Sequence, residues 1–285
     1  MARDLLAPVP VVRRAGWWLA RLLARDLGAR GGRLLAVFAG NLAWWCDARG
    51  RRTVAENLRL VLPAAAARQR VARATYRACA EQLLFTLRLD CRRDGDLGRV
   101  RLVDPWAVLP LAGPAVLTTV HADWDALLAE TAGRGLLPDT ATVALPSGDA
   151  WVDALLARLR AEAGVATLPW RGAARQAWQH LRRGGILGVL ADRDYSGDGF
   201  VARSSQGSWR VARGPLALAA RQQCPLVPMA CLRRRGGAVV VIGRPCWPHR
   251  SGQAEAARQL ARFQLQVLSA APGRWIAFHP LVQVP

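Results

Sequence analysis

From Val100 to Ile242, short apolar runs alternate with helix-like stretches, and this rhythm constrains the fold more than any other feature. Val100–Val103, Ala115–Val120, Thr140–Leu145, Val165–Leu168, Ile186–Ala191, Leu226–Cys231 and Val239–Ile242 read as strands, being short, apolar and rich in β-branched residues. Helical patterning covers residues 125–133, 149–162, 171–183 and 214–223, with a last helix near 252–270. Such alternation predicts βαβ units, and so a largely parallel central sheet flanked by helices. The expected fold class is therefore α/β, with enough of the 285 residues to bury a substantial core.

The first 47 residues break this rhythm. Trp17, Trp18, Leu22, Leu23 and Leu27 precede the apolar stretches 34–39 and 42–45, with Arg21, Arg25, Arg30 and Arg33 interspersed. The longest charge-free run, Leu34–Cys46, is 13 residues, too short to span a bilayer. Tryptophans clustered with arginines suit helices lying in a membrane interface; a buried helical hairpin with snorkelling arginines gives the same composition. The expected division is a membrane-interface helical segment at 1–47 and an α/β domain at 48–285. Two further helices follow, Arg51–Leu60, stopping before Pro63, and Ala64–Leu87.

Net charge is +20, and arginine supplies all 40 basic residues. That excess calls for an anionic partner. No zinc-finger spacing, aromatic RNA-binding strand motif or long basic tail is visible, so nucleic acid is not the expected partner. An anionic membrane surface accounts for the charge and the 12 tryptophans together. The cysteines at 46, 79, 91, 224, 231 and 246 form no C-x-x-C pair and the four histidines are dispersed, so no metal or cofactor is expected. No cleavable signal pattern is evident, which places these cysteines in a reducing compartment as small core residues.

Two segments carry chemistry. The run Ala115–Val120 leads directly into His121-Ala-Asp-Trp-Asp125. In open α/β sheets ligands bind at the C-terminal ends of strands. A histidine there can take a proton from an alcohol, with a nearby carboxylate fixing its tautomer. Asp125, four residues on, is the expected partner on a helical face; a polar strand end with Asp123 capping the next helix is the simpler alternative. Similarly, Ile186–Ala191 ends in Asp192-Arg193-Asp194-Tyr195 and a Ser/Gly loop. Arg193 there can grip a phosphate, flanked by Asp192 and Asp194, or the segment is a turn serving backbone geometry. No G-x-S-x-G nucleophile elbow is present.

Five collinear blocks between about 50 and 280 resemble the bacterial lipid A late acyltransferases and the related phosphatidylinositol mannoside acyltransferases. They are Arg51-Arg52 with Asn57-Leu58 and Leu62-Pro63; Val120-His121 through Trp124-Asp125; Gly184 through Asp192-Arg193-Asp194-Tyr195; Gly214-Pro215 through Pro228; and Pro272 through Trp275 to Phe278-His279-Pro280. The resemblance implies a lysophospholipid-acyltransferase-like fold, peripheral on the cytoplasmic face of the cell inner membrane. It implies transfer of a fatty acyl group from an acyl carrier protein or coenzyme A thioester to a hydroxyl of a membrane glycolipid, of lipid A type. His121 is then the base and Asp125 its orienting acid, although three residues separate them where the family has four. Asp192, Arg193, Asp194 and Arg213 are the implied substrate-binding residues. The family's apolar stretch after the Asp-Arg block is replaced by Arg203-Ser-Ser-Gln-Gly-Ser-Trp209.

Overall fold

The computed structural model describes residues 10–89, 99–234 and 236–281, with the side chains of all these except 10–14 and 28–30. Among them, seven strands form one sheet: β1 (Arg99–Val103), β2 (Ala115–Thr119), β3 (Thr140–Ala144), β4 (Val165–Pro169), β5 (Ile186–Leu190), β8 (Leu226–Arg234) and β9 (Gly237–Ile242). Their order is β1-β9-β8-β2-β5-β3-β4, parallel throughout except at the β8–β9 pair. The expected mixed α/β, mostly parallel sheet is the architecture found.

Every residue of β2 is buried. A central parallel strand is covered on both faces, so it reads as a continuous apolar run rather than an alternating one. The edge strand β1 is half open, with Arg99 and Arg101 exposed along it, and charge on an edge discourages pairing with another chain.

The faces of the sheet are covered differently. Helices α5 (Trp124–Gly133) and α6 (Ala150–Glu162) pack on one face, as Trp124, Leu127, Leu155 and Leu159 enter the same core as Leu117, Ile186 and Val227. On the other, α7 (Ala173–Arg182), α8 (Arg213–Arg221), the short α9 (Pro248–Ser251) and α10 (Gln253–Ala270) surround Val116, Leu187 and Leu226. The two strands outside the main sheet, β6 (Phe200–Ser204) and β7 (Gly207–Val211), pair as an antiparallel hairpin. Trp209 is buried there and donates from Nε1 to Gln264 of α10 at 3.4 Å.

At the N-terminal side, α1 (Pro10–Asp26) and α2 (Gly28–Cys46) precede α3 (Ala48–Asn57) and α4 (Ala65–Thr86). Ala24 and Ala36 enter the core on the α5/α6 face. Helix α2 lies close on α4: a Cβ at Gly40 would stand 2.6 Å from the Arg77 Cα, so only glycine permits the approach. Asn41 Oδ1 accepts from Arg73 Nε at 3.0 Å and Arg77 Nε at 2.9 Å. The outward sides of α1 and α2 are apolar. Trp18, Leu19 and Leu22 on α1, and Leu34, Phe38, Leu42 and Trp45 on α2, are all about half exposed or more. Among the described residues no helix is long and apolar enough to cross a membrane.

Candidate active site

His121 stands two residues beyond the end of β2, and Asp192 two residues beyond the end of β5. The two strands pair in parallel with Thr119 opposite Leu190. Equal overshoot past a shared register sets the two side chains side by side. The His121 Nδ1 lies 2.6 Å from Asp192 Oδ1, and the His121 backbone N–H donates to Oδ2 at 3.2 Å. The Trp275 indole donates to the same Oδ2 at 2.7 Å. Burial by itself raises the Asp192 carboxyl; the facing His121 ring, the Arg193 guanidinium and the Trp275 hydrogen bond outweigh it and hold the group down to about 2. An ionised carboxylate only accepts, so Nδ1 carries the proton and Nε2 presents its lone pair. His121 lines a cleft of about 910 Å³, while Asp192 sits behind it at 1% exposure.

The expected His121–Asp125 pair is corrected by this arrangement. Asp123 takes a left-handed conformation (φ 47°) as the chain turns into α5, carrying Asp125 away from the strand end. Asp125 accepts from Thr86 Oγ1 at 2.5 Å and from Arg160 Nε at 3.0 Å. Both of its oxygens are thus committed to α4 and α6. Asp123 does not cap α5 with its side chain either. It forms an ion pair with Arg274, which reaches Glu81 at 2.6 Å, and accepts from the Arg233 backbone N–H at 3.0 Å.

The other expected substrate-binding residues separate. Arg193 lines the cleft; its Nη2 donates to the Ile276 carbonyl, Nη1 lies 3.4 Å from the Tyr195 hydroxyl, and the buried Nε has no hydrogen-bond partner among the described residues. Asp194 borders the cleft, but its carboxylate accepts from Ser196 Oγ at 2.6 Å and Gly199 N at 2.7 Å. Burial raises that carboxyl, and the Ser196 and backbone hydrogen bonds overcome this to hold it low. Asp194 therefore shapes its own loop. Arg213 is exposed over the Phe200 ring, 3.8 Å from Asp198, and is absent from the cleft wall that its neighbours Ala212 and Gly214 line. Asp192, read as a substrate ligand, instead holds His121.

Three contributors carried no assigned role in the sequence. Arg160 lines the cleft, with its Nε donating to Asp125. Trp275 belongs to a C-terminal strap whose Ile276 N–H donates to the His121 carbonyl at 2.7 Å. The buried Asn57 ties down that strap, donating to the carbonyls of Ala277 (2.9 Å) and His279 (2.6 Å) and accepting from Leu281 N (2.9 Å). The signal for both was present, since Asn57 and Trp275 lie in the first and last of the five blocks; which atoms they meet depends on partners some 220 residues away for Asn57 and 83 for Trp275.

Apart from its polar rim, the cleft is walled by aliphatic and aromatic side chains such as Leu156, Leu187, Val189, Leu190 and Leu218. Such a wall accepts hydrocarbon. A base with a free Nε2 at the mouth of a hydrocarbon cleft can deprotonate a hydroxyl beside a bound acyl chain. Residues 8–283 match the family described as bacterial lipid A biosynthesis acyltransferase. No curated protein matches the chain. Among solved structures it is similar to the crystal structure of the 1-acyl-sn-glycerophosphate (LPA) acyltransferase PlsC from Thermotoga maritima, at 16% identity and a TM-score of 0.39, over 84% of this chain and 94% of that one. With a match across nearly its whole length, the chain belongs to the bacterial lipid A biosynthesis acyltransferase family and is an acyltransferase acting on a lipid.

Proposed function

We propose that the protein moves a fatty acyl group from a thioester of acyl carrier protein or coenzyme A to a hydroxyl of a membrane glycolipid, of lipid A type, with His121 as the base and Asp192 as its orienting carboxylate. The observation that carries this reading is the chain of contacts from Trp275 through Asp192 to His121 at the edge of an apolar cleft. His121 Nε2 takes the acceptor hydroxyl proton as the oxygen attacks the thioester carbonyl carbon. The C–S bond then breaks, and the departing sulfur takes that proton back from Nε2. No side chain is acylated. Arg160 and Arg193 line the same space and supply positive charge for the oxyanion or for substrate phosphates. Asp125 acts through Arg160, as a positioning residue.

The apolar sides of α1 and α2 seat the protein on the membrane surface, on the cytoplasmic face of the inner membrane, where the arginine excess meets anionic lipid. The same positive field suits either donor, an acidic carrier protein or the polyanionic coenzyme A.

The test is transfer by purified protein from acyl carrier protein and coenzyme A thioesters to an extracted bacterial lipid fraction, followed by mass spectrometry. A lipid gaining one acyl mass is expected, with His121→Ala losing at least ~100-fold, the lower range for general-base assistance. Full activity in His121→Ala, or an acyl group trapped on a Ser or Cys, would contradict the mechanism.

A further inference from the structure

The walls of the cleft belong to both faces of the sheet. Successive residues of a strand point to opposite faces, and β5 delivers residues to the cleft from both. Leu187 packs in the core under α7 and α8, whereas Leu190 packs against the core of α5 and α6. Between them, a Cβ at Gly188 would stand 2.7 Å from the Trp124 ring, which fixes that residue to the α5 side. The lining of this one cleft therefore sorts by sheet face into two apolar groups, its two arms. One is formed by Ala173, Ala177, Leu187, Val189, Pro215 and Leu218, the other by Trp124, Leu156, Ala157, Pro169 and Leu190, with Arg160 at its side. His121 stands at the strand ends, where the arms meet.

We infer that the two arms hold two hydrocarbon chains at once, the donor's acyl chain between α7 and α8 and a chain already carried by the acceptor lipid against α6. This deepens the acyl-transfer reading and rests on it. A single chain whose carbonyl sits at His121 fills one arm and leaves the other an empty apolar wall in contact with water, which is unfavourable. The reaction also needs the acceptor oxygen and thioester carbon within about 3–3.5 Å of each other, and arms diverging from one base deliver two lipid headgroups to one point.

The assignment of chains follows from where α1 and α2 lie. Both bury an alanine in the core on the α5/α6 face, although Trp44 at the end of α2 packs on the other core, and Trp18 of α1 meets Trp151 of α6 with ring planes tilted by 48° and centroids 5.8 Å apart. The α6 arm is thus the one whose helix touches the exposed apolar surface, so a lipid leaving the bilayer reaches it first. The α7/α8 arm is left for the chain that arrives from solution on its thioester.

The test uses full-length protein and a diazirine-bearing palmitate as photocrosslinking probe, with labelled peptides mapped by mass spectrometry. Labels are expected both in residues 150–162 and in residues 173–182 or 213–221. Ala177→Phe should remove only the second set and Ala157→Phe only the first; Leu218→Phe and Leu156→Phe repeat each arm from another position should the first variants fold poorly. In the transfer assay, Ala177→Phe should shorten the preferred donor chain by at least two carbons. Ala157→Phe should keep the donor order and raise the acceptor KM several-fold. Labels confined to one set, or both sets lost together in either variant, would overturn the two-arm inference even with transfer intact; exchanged kinetic effects would overturn the assignment of chains. Absent transfer with labelling in both arms would sink the acyl-transfer reading and leave the arms standing.

Discussion

His121 was legible in the sequence because a β-branched run delivered it to a strand end; its partner was not. Asp125 is four residues away and Asp192 is 71, and local spacing favours the near one. Two facts decided otherwise: the parallel register of β2 against β5, and the left-handed turn at Asp123. Neither is written in local pattern. Replacing Asp192 with Asn should therefore damage catalysis far more than replacing Asp125. Asp125 holds Arg160 Nε at 3.0 Å, so in the proposed mechanism Asp125→Asn and Arg160→Gln should cause similar losses, and the double variant should be little worse than either, as residues acting as a unit are non-additive. Kinetics of the three variants would check this; losses that multiply would show two independent roles.

Asp192 also makes a pH prediction. Its folded value of about 2 lies below the ~3.9 of an unfolded Asp. A carboxyl held low when folded stabilises the protein above the unfolded value and loses that contribution as pH falls through the folded one. Thermal melts between pH 4 and 2 should show wild type losing stability more steeply than Asp192→Asn. Parallel slopes would mean that the carboxylate is not held low.

At the scale of elements, all seven strands read from the sequence are found within a few residues; the central ones, β2 above all, were legible as continuous apolar runs because parallel strands there are covered on both faces. The hairpin β6–β7 was missed. Arg203, Ser204, Ser205 and Gln206 dilute its pattern, and Val201 and Arg203 are exposed, yet Phe200, Ala202, Trp209 and Val211 pack inward. Trp209 is the anchor of this element. Trp209→Ala should cost about 3–5 kcal/mol, the usual loss for truncating a buried aromatic, read by denaturant unfolding; a change under 1 kcal/mol would show that the hairpin contributes little to the core. For α2, the exposed stripe Leu34, Phe38, Leu42 and Trp45 repeats at helical spacing. Phe38→Asp with Trp45→Asp should reduce co-sedimentation with anionic vesicles by about tenfold or more without changing the unfolding midpoint. Unchanged sedimentation would remove this stripe from the membrane contact.

Across the whole molecule, chain ends distant in sequence assemble the site. Asn57 near the start of the fold fixes residues 277–281, and the same strap supplies Trp275 to Asp192 and Ile276 to His121 and Arg193. The sequence placed Asn57 on an amphipathic helix and Trp275 in a terminal block, and only tertiary folding joins them. What it does disclose at this scale is the coincidence of tryptophan and arginine at the N-terminal end, which the structure resolves into an apolar surface on the side of the sheet that carries α6. In the proposed mechanism Asp192, and not Asp125, orients the base. Steady-state transfer rates of Asp192→Asn and Asp125→Asn, measured together at saturating acceptor, decide between them. A loss of at least ~100-fold is expected for Asp192→Asn, on the scale of an orienting carboxylate, and a clearly smaller fall in kcat for Asp125→Asn; the reverse order would contradict the assignment.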